Sequence, residues 1–206
     1  MLLAHGGAGG DPSETETRQQ HLADAVGAGA AQSGPEAAVV ATVRELETSP
    51  RFNAGVGSAV QSDGVVRTDA GLMLGDGTTG AACAMPGVEH AIDVARAVTT
   101  ETPHVLVAGD DAVALAEAFG VATDRDLWTD RTRDRWEKLD PPADRREQLR
   151  WVRERFGGSD TVGAVAVEGG RLAAATRPAA GGVRWPDGSG TSPRSAPAST
   201  RPTGPR

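Results

Sequence analysis

The sequence predicts one α+β domain. Three observations point to it. Short strands of small residues alternate with helical stretches whose apolar residues lie three or four apart. Gly-rich turns separate the elements. The chain has 206 residues, 38% of them hydrophobic, which is enough for one core.

In chain order, residues 2–4 form a strand, ended by the glycines of HGGAGG. PSETETRQQHLADAVGAGAAQSG predicts a helix, with Leu22 and Val26 four apart and Ser13 and Thr15 as candidate caps. Pro35 suits the first turn of a second helix, whose apolar stripe is Val39, Val43 and Leu46. FNAGVGSAVQSDGVVRTDAGLML alternates between Gly breaks and predicts two or three strands, with a turn near Asp63-Gly64. TTGAACAM is another small-residue strand, and residues 89–100 are helical, with Val94 and Val98 four apart. HVLVAG predicts a short buried strand, followed by a helix from Asp111 to Phe119. Residues 124–150, dense in Asp, Arg and Glu, predict a solvated helical linker leading to LRWVRERFGGSD. The last regular pair is a hairpin, 162–167 and 171–176, turned by Glu168-Gly169-Gly170. Residues 177–206 hold six Pro, five Gly, four Ser and three Thr without periodicity, the composition of a disordered tail.

Charge narrows the function. The net charge is −7, but residues 177–206 carry five Arg and one Asp, or +4, which leaves −11 on residues 1–176. An acidic body argues against nucleic-acid binding. Nearly all the basic residues are Arg, with Lys138 the only lysine, which suits a GC-rich genome. The sequence has no run of 18 apolar residues to cross a membrane. MLLAHGGAGG lacks a basic segment, so cytoplasmic residence is the expectation. Cys83 is alone, which excludes an internal disulfide.

Chemistry concentrates at GGSDTVGAVAV, residues 157–167. A small-residue strand starts directly behind an Asp-Thr pair and a Gly-Gly-Ser loop. Threonine at a strand start is ordinary β-propensity. Cutting the bond between Asp160 and Thr161 gives it another use. The new terminus carries a hydroxyl and an α-amine whose pKa lies at roughly 7.7–8.0, so the amine can act as base for its own hydroxyl. The β-branch limits the hydroxyl's orientations. Asp160 is placed to assist the acyl shift.

HGGAGG exposes backbone N–H groups but lacks the Lys and Ser/Thr of a phosphate loop, and reads as a tight turn. His5, His21, His90, His104 and Cys83 show no metal-ligand spacing. Asp63, Asp69 and Asp76 resemble a carboxylate ladder, two of them beside Gly, where turn chemistry also applies.

Several segments together resemble the N-terminal-nucleophile asparaginases, the plant-type asparaginase and isoaspartyl-peptidase family. They are HGGAG (5–9), FNAGVGS (52–58), DGVVRTDAGLMLGDG (63–77), GAACAMPGVEHAIDVARAVTTETPHVLVAGDDA (80–112) and DTVGAVAV (160–167), in family order across residues 1–176. The resemblance implies an αββα sandwich made as a precursor and self-cleaved between Asp160 and Thr161. Residues 1–160 would be the α-subunit part and 161–176 the start of the β subunit, and complete αβ units would pair as a homodimer. It implies Thr161 as nucleophile with Asn53 near it, and no cofactor other than a structural sodium ion. That ion would be held, mostly through main-chain oxygens, by Leu46, Glu47, Ser49, Phe52, Ala54 and Val56. The implied reaction is hydrolysis of a small substrate, asparagine or a β-aspartyl dipeptide, through an acyl-enzyme. Glycosylasparaginase-like cleavage of sugar-linked asparagine also fits the Asp-Thr pair. A non-enzymatic interaction module on the same scaffold is the third reading.

The resemblance breaks after AAAT (173–176), where the family continues STGG and later GRVGD. These segments carry a second site threonine, the Arg and Asp that grip the substrate's α-carboxylate and α-amine, and oxyanion donors. Written in GC-rich codons with one T added after codon 176, the tail reads STGGRRGPVAGRVGD, which restores both motifs in order. Residues 177–206 are therefore expected to be out-of-frame translation. Without the lost elements, the hairpin strands should have unpaired edges and uncovered apolar faces. Weak folding, aggregation or failure to self-cleave is the expected consequence, since native stability is only about 5–15 kcal/mol.

Overall fold

The structure is a computed structural model that describes residues 1–7, 14–155 and 160–179. Within them it builds β1 (Leu2–His5), α1 (Thr15–Ala30), α2 (Pro35–Thr48), β2 (Arg67–Leu74), β3 (Thr79–Pro86) and α3 (Ala91–Glu101). β4 (Leu106–Ala108), α4 (Asp110–Ala118), α5 (Asp130–Trp136), α6 (Arg145–Arg155), β5 (Asp160–Glu168) and β6 (Arg171–Ala179) follow. The mixed α+β class is borne out.

The described strands form one six-stranded sheet in the order β1-β5-β6-β2-β3-β4. All pairs are antiparallel except β3 with β4. β5 and β6 make the expected hairpin, with Glu168 opposite Arg171 and a two-residue Gly169-Gly170 turn. Both turn glycines have positive φ (55° and 77°), the conformation that a tight twisted hairpin needs.

Alternation along the strands decides what each face contacts. Ala164, Ala166, Ala173 and Ala175 join Leu72 and Ala82 in one core with Val39, Val40 and Val43 of α2 and Ile92, Val94 and Val98 of α3. Small strand residues let these helices lie close to the sheet. The opposite face carries exposed apolar side chains, among them Leu3 (61%), Leu106 (57%) and Val165 (39%).

Several local expectations change. Glu14, in left-handed conformation at φ 60°, is the N-cap of α1, and Thr15 is the first helical residue. Glu14 pairs with Arg51, which fixes where the chain enters the helix. Ser13 lies outside the described residues. Residues 52–58 are a run of turns, and the expected strands reduce to a Val60–Val66 bridge and β2. The predicted buried strand HVLVAG is an edge strand with exposed Val105 and Leu106, because among the described residues it pairs on one side only and no helix covers its outer face. The charged stretch 124–150 is partly anchored. Leu127 packs with Val60 and Val66, and Trp128 and Trp136 meet edge to face at 6.3 Å beside them. β6 continues through Ala179, three residues past the point where the composition changes. The remaining tail, 180–206, lies outside the described residues.

At the crossing of α1 and α2, a Cβ on Gly29 would stand 2.1 Å from Thr42 Oγ1 and 2.6 Å from the Ala38 carbonyl oxygen. Gly29→Ala gains about 1 kcal/mol of helix propensity but forces the crossing apart, at a cost of about 1–3 kcal/mol. A net loss of stability is expected in urea denaturation.

Candidate active site

The site is built around the exit of α2. The Leu46 carbonyl would accept from the amide of residue 50, but Pro50 has no N–H, so the helical ladder fails there. The chain turns back on itself. Phe52 N donates to Ser49 O and Ala54 N to Phe52 O, while Val56 N returns to Glu47 O at 2.9 Å. Gly55 rests directly on the Glu47 backbone, where a Cβ would come within 2.1 Å of the carbonyl oxygen. Phe52 and Ala54 pack with Leu46, Ala25 and Val162, which joins the loop to the start of β5.

Asn53, the tip of this loop, is held from two sides. Arg131 Nη2 donates to its side-chain Oδ1 at 3.1 Å and to Pro50 O at 3.3 Å. Arg177 Nη1 donates to its main-chain oxygen at 3.1 Å, and Ser58 Oγ to the same oxygen at 3.4 Å. Arg131 sits among like charges. Burial, and then Arg18, Arg135 and Arg51, lower its pKa, although a guanidinium stays protonated.

Beneath the loop lies a buried charge pair. Glu47 is wholly buried and Arg177 is 1% exposed, with Nε 3.4 Å from Glu47 Oε1. The same oxygen accepts the Ile92 amide at 3.1 Å, at the start of α3. His90 Nδ1 lies 3.7 Å from Oε2, and its Nε2 lies 3.8 Å from Glu89, which pairs with Arg125. Burial pushes the Glu47 carboxyl above the usual range, and His90, Arg177 and the Ile92 amide act against it.

Thr161 is the second residue of β5, opposite Pro178, which has no N–H to give the ladder. Its successor Val162 is fully buried against the loop, and pairs across the ladder with Arg177. By strand alternation, Val162 and Arg177 point to the helices and Thr161 to the other face of the sheet. Thr161 and Asn53 thus share one end of the sheet, joined through the Val162–Arg177 pair. His5 is there too, opposite Gly163. Asp160 begins β5.

The three aspartates form no ladder. Asp63 and Asp76 accept the amides of Val65 and Thr78 two residues on, in local turns. The Thr78 contacts hold Asp76 below the usual carboxylate range. Asp69 is buried and accepts the amide of Ala84, which has a φ of 58°, where the β2–β3 register shifts. Of the six oxygen donors expected for a sodium ion, the carbonyls of Glu47, Ser49 and Phe52 accept loop amides. The cation set against this loop is the Arg177 guanidinium.

Sequence reading missed Arg131, Arg177 and His90. Arg131 lies in a charged stretch where nothing marks one Arg from another, and Arg177 falls where the compositional tail begins. Only His90, beside Glu89 in GVEHAI, had a local cue as the residue before an apolar helix.

The asparaginase family model matches residues 1–185. The chain is 38% identical over 201 residues to a plant-type L-asparaginase of Pyrobaculum calidifontis, covering 93% of this chain and 67% of that protein. It is 38% identical over 188 residues to an isoaspartyl peptidase/L-asparaginase of Danio rerio (85% and 58%), and 34% over 177 residues to that of Homo sapiens (82% and 56%). The α+β scaffold and these matches together place the chain in an amidohydrolase class. The chain belongs to the asparaginase family. It spans about six-tenths of the length of these relatives.

Gly55→Ala should break the return of the loop onto Glu47, since its Cβ would meet main-chain atoms that cannot rotate away. The expected loss is about 1–3 kcal/mol, read in chemical denaturation, together with faster hydrogen exchange at the Val56 amide.

Proposed function

We propose that the chain carries the site of a hydrolase for asparagine and β-aspartyl dipeptides, with Thr161 as nucleophile. The observation that supports this most is the position of Thr161, directly after Asp160 at the start of a small-residue strand, with Asn53 clamped at the same end of the sheet.

Activation begins with the Asp160–Thr161 bond. Thr161 Oγ attacks the Asp160 carbonyl carbon, and the amide C–N bond breaks as an ester forms and the nitrogen takes up a proton. Water then hydrolyses the ester, which leaves the Asp160 carboxylate and a free Thr161 α-amine. In turnover that amine takes the hydroxyl proton as Oγ attacks the substrate's side-chain amide carbon. The proton passes to the leaving nitrogen, so ammonia departs from asparagine, or an amine from a β-aspartyl dipeptide. Water releases aspartate and restores Thr161. The strand behind Thr161 keeps the nucleophile in place, and Asn53 supplies a polar partner near the reacting carbon.

Substrate grip is the weak part of the chain as it stands. The Arg–Asp clamp and later oxyanion donors expected from the family pattern are absent from the 177–206 sequence. A base lost near codon 177 accounts for this. Sequencing the locus should show the lost base, and an intact frame there would remove the explanation.

Expressed as it is, the protein should run as one band near 21.1 kDa on a denaturing gel. Conversion to fragments 1–160 and 161–206 would refute the expected failure to self-cleave and show that cleavage needs none of the missing family segments. With the frame restored, cleavage and ammonia release from asparagine should both appear, and Thr161→Ala should abolish both. Ammonia release that survives Thr161→Ala would rule out the threonine mechanism.

A further inference from the structure

We propose that in this chain the guanidinium of Arg177, in place of a metal ion, is the cation that organises the loop at residues 46–56 and positions Asn53. The loop's oxygens face three demands. A buried carboxylate, Glu47, needs a counter-charge. The Asn53 carbonyl, turned in towards β6, needs a donor. The loop needs a polar tie to the sheet, because its amides bond within the loop or onto α2, Arg18 and Arg131 reach it from helices, and its contact with Val162 of β5 is apolar.

Arg177 meets all three. Its Nε stands 3.4 Å from Glu47 Oε1, its Nη1 donates to Asn53 O at 3.1 Å, and its backbone lies in β6 opposite Val162. The planar fork of a guanidinium can serve a carboxylate and a carbonyl together, which a point charge on a flexible stem cannot match. A sodium ion would need the loop's carbonyls turned towards it. Those of Glu47, Ser49 and Phe52 each accept one loop amide, which leaves one lone pair apiece for an ion, and with Arg177 in place the counter-charge to Glu47 is already supplied. A second buried positive charge beside Arg177 would also be repelled in this low-dielectric setting. The residues present therefore fit a guanidinium better than a metal.

The charge on the loop does not depend on Thr161 being the nucleophile, although the consequence for Asn53 rests on that reading. It also separates this chain from its frame-restored form, where serine replaces Arg177 and the cation position is vacated. Arg177 is accordingly a positioning residue. It reaches the chemistry through Asn53.

The test is thermal unfolding of the full chain in sodium chloride and in choline chloride at equal ionic strength, with amide exchange of residues 49–58 followed in the same salts. The wild-type chain should give the same Tm in both, with the loop amides protected in both. Arg177→Ser should lower Tm by about 10 °C in choline and regain part of that loss in sodium, as an ion enters the vacated position. Arg177→Lys should restore protection in part without sodium dependence. Arg177→Met with Glu47→Gln should lose less than the two single changes added together. A wild-type Tm or loop protection that rises with sodium would overturn the proposal. So would loop amides exchanging at unfolded rates in the wild-type chain, or an Arg177→Ser variant that matches wild type. If Arg177→Ser does not fold in either salt, Arg177→Lys and the wild-type salt comparison still decide it. Because no readout uses activity, failure here leaves the asparaginase reading untouched, and the reverse also holds.

Discussion

The buried Glu47 carboxylate is the constraint on which the rest of the site depends. It lies at the end of α2 with no exposure to water, and its neighbours come from elsewhere in the chain: the Ile92 amide from α3, Arg177 from β6, and His90 from the turn before α3. An ionised group taken out of water is tolerated only if partners surround it. Two helices, a strand and a loop must therefore reach their places together. Once they have, the loop that starts on Glu47 has one way to close, through Val56 back to the Glu47 carbonyl. Asn53 is at its tip by consequence. The polar geometry of the site is thus set by a pair that itself never faces solvent.

The second organising fact is the difference between the two faces of the sheet. Small residues on one face admit α2 and α3 closely enough that Val39, Val43, Ile92 and Val98 are fully buried. On the other face Leu3, Val165 and Leu172 are substantially exposed. Thr161 belongs to that open face and Arg177 to the covered one. Thr161 and the loop support are thereby separated across one backbone layer, one strand position apart. A change on the covered side can alter the loop without touching Thr161 directly.

Much of this was legible in the linear chain. The Gly169-Gly170 hairpin was visible because only a left-handed two-residue turn suits that pair. Pro35 marked the start of α2 because its missing N–H is harmless there. The Asp-Thr pair before a small-residue strand was visible because the chemistry of a freed threonine depends on covalent neighbours. Other expectations failed where local signals compete with tertiary ones. HVLVAG is apolar enough to be a core strand, but it ends the sheet, and its position there comes from pairing with β3. Thr15 has the right side chain for a cap, yet the Glu14–Arg51 contact sets the helix start one residue earlier. The charged stretch 124–150 hides Leu127, Trp128 and Trp136, an adjacent pair and one residue eight positions on, too few for a helical stripe to show.

The sequence alone determined the family and most of the element types, because each rests on residues that are neighbours in the chain or on motifs in a fixed order. Only the tertiary structure decided which charges meet. Glu47 and Arg177 are separated by 130 positions, and no period or spacing connects them. Their contact exists because β6 pairs beside β5 while α2 packs across both, and a buried charge accepts no looser arrangement.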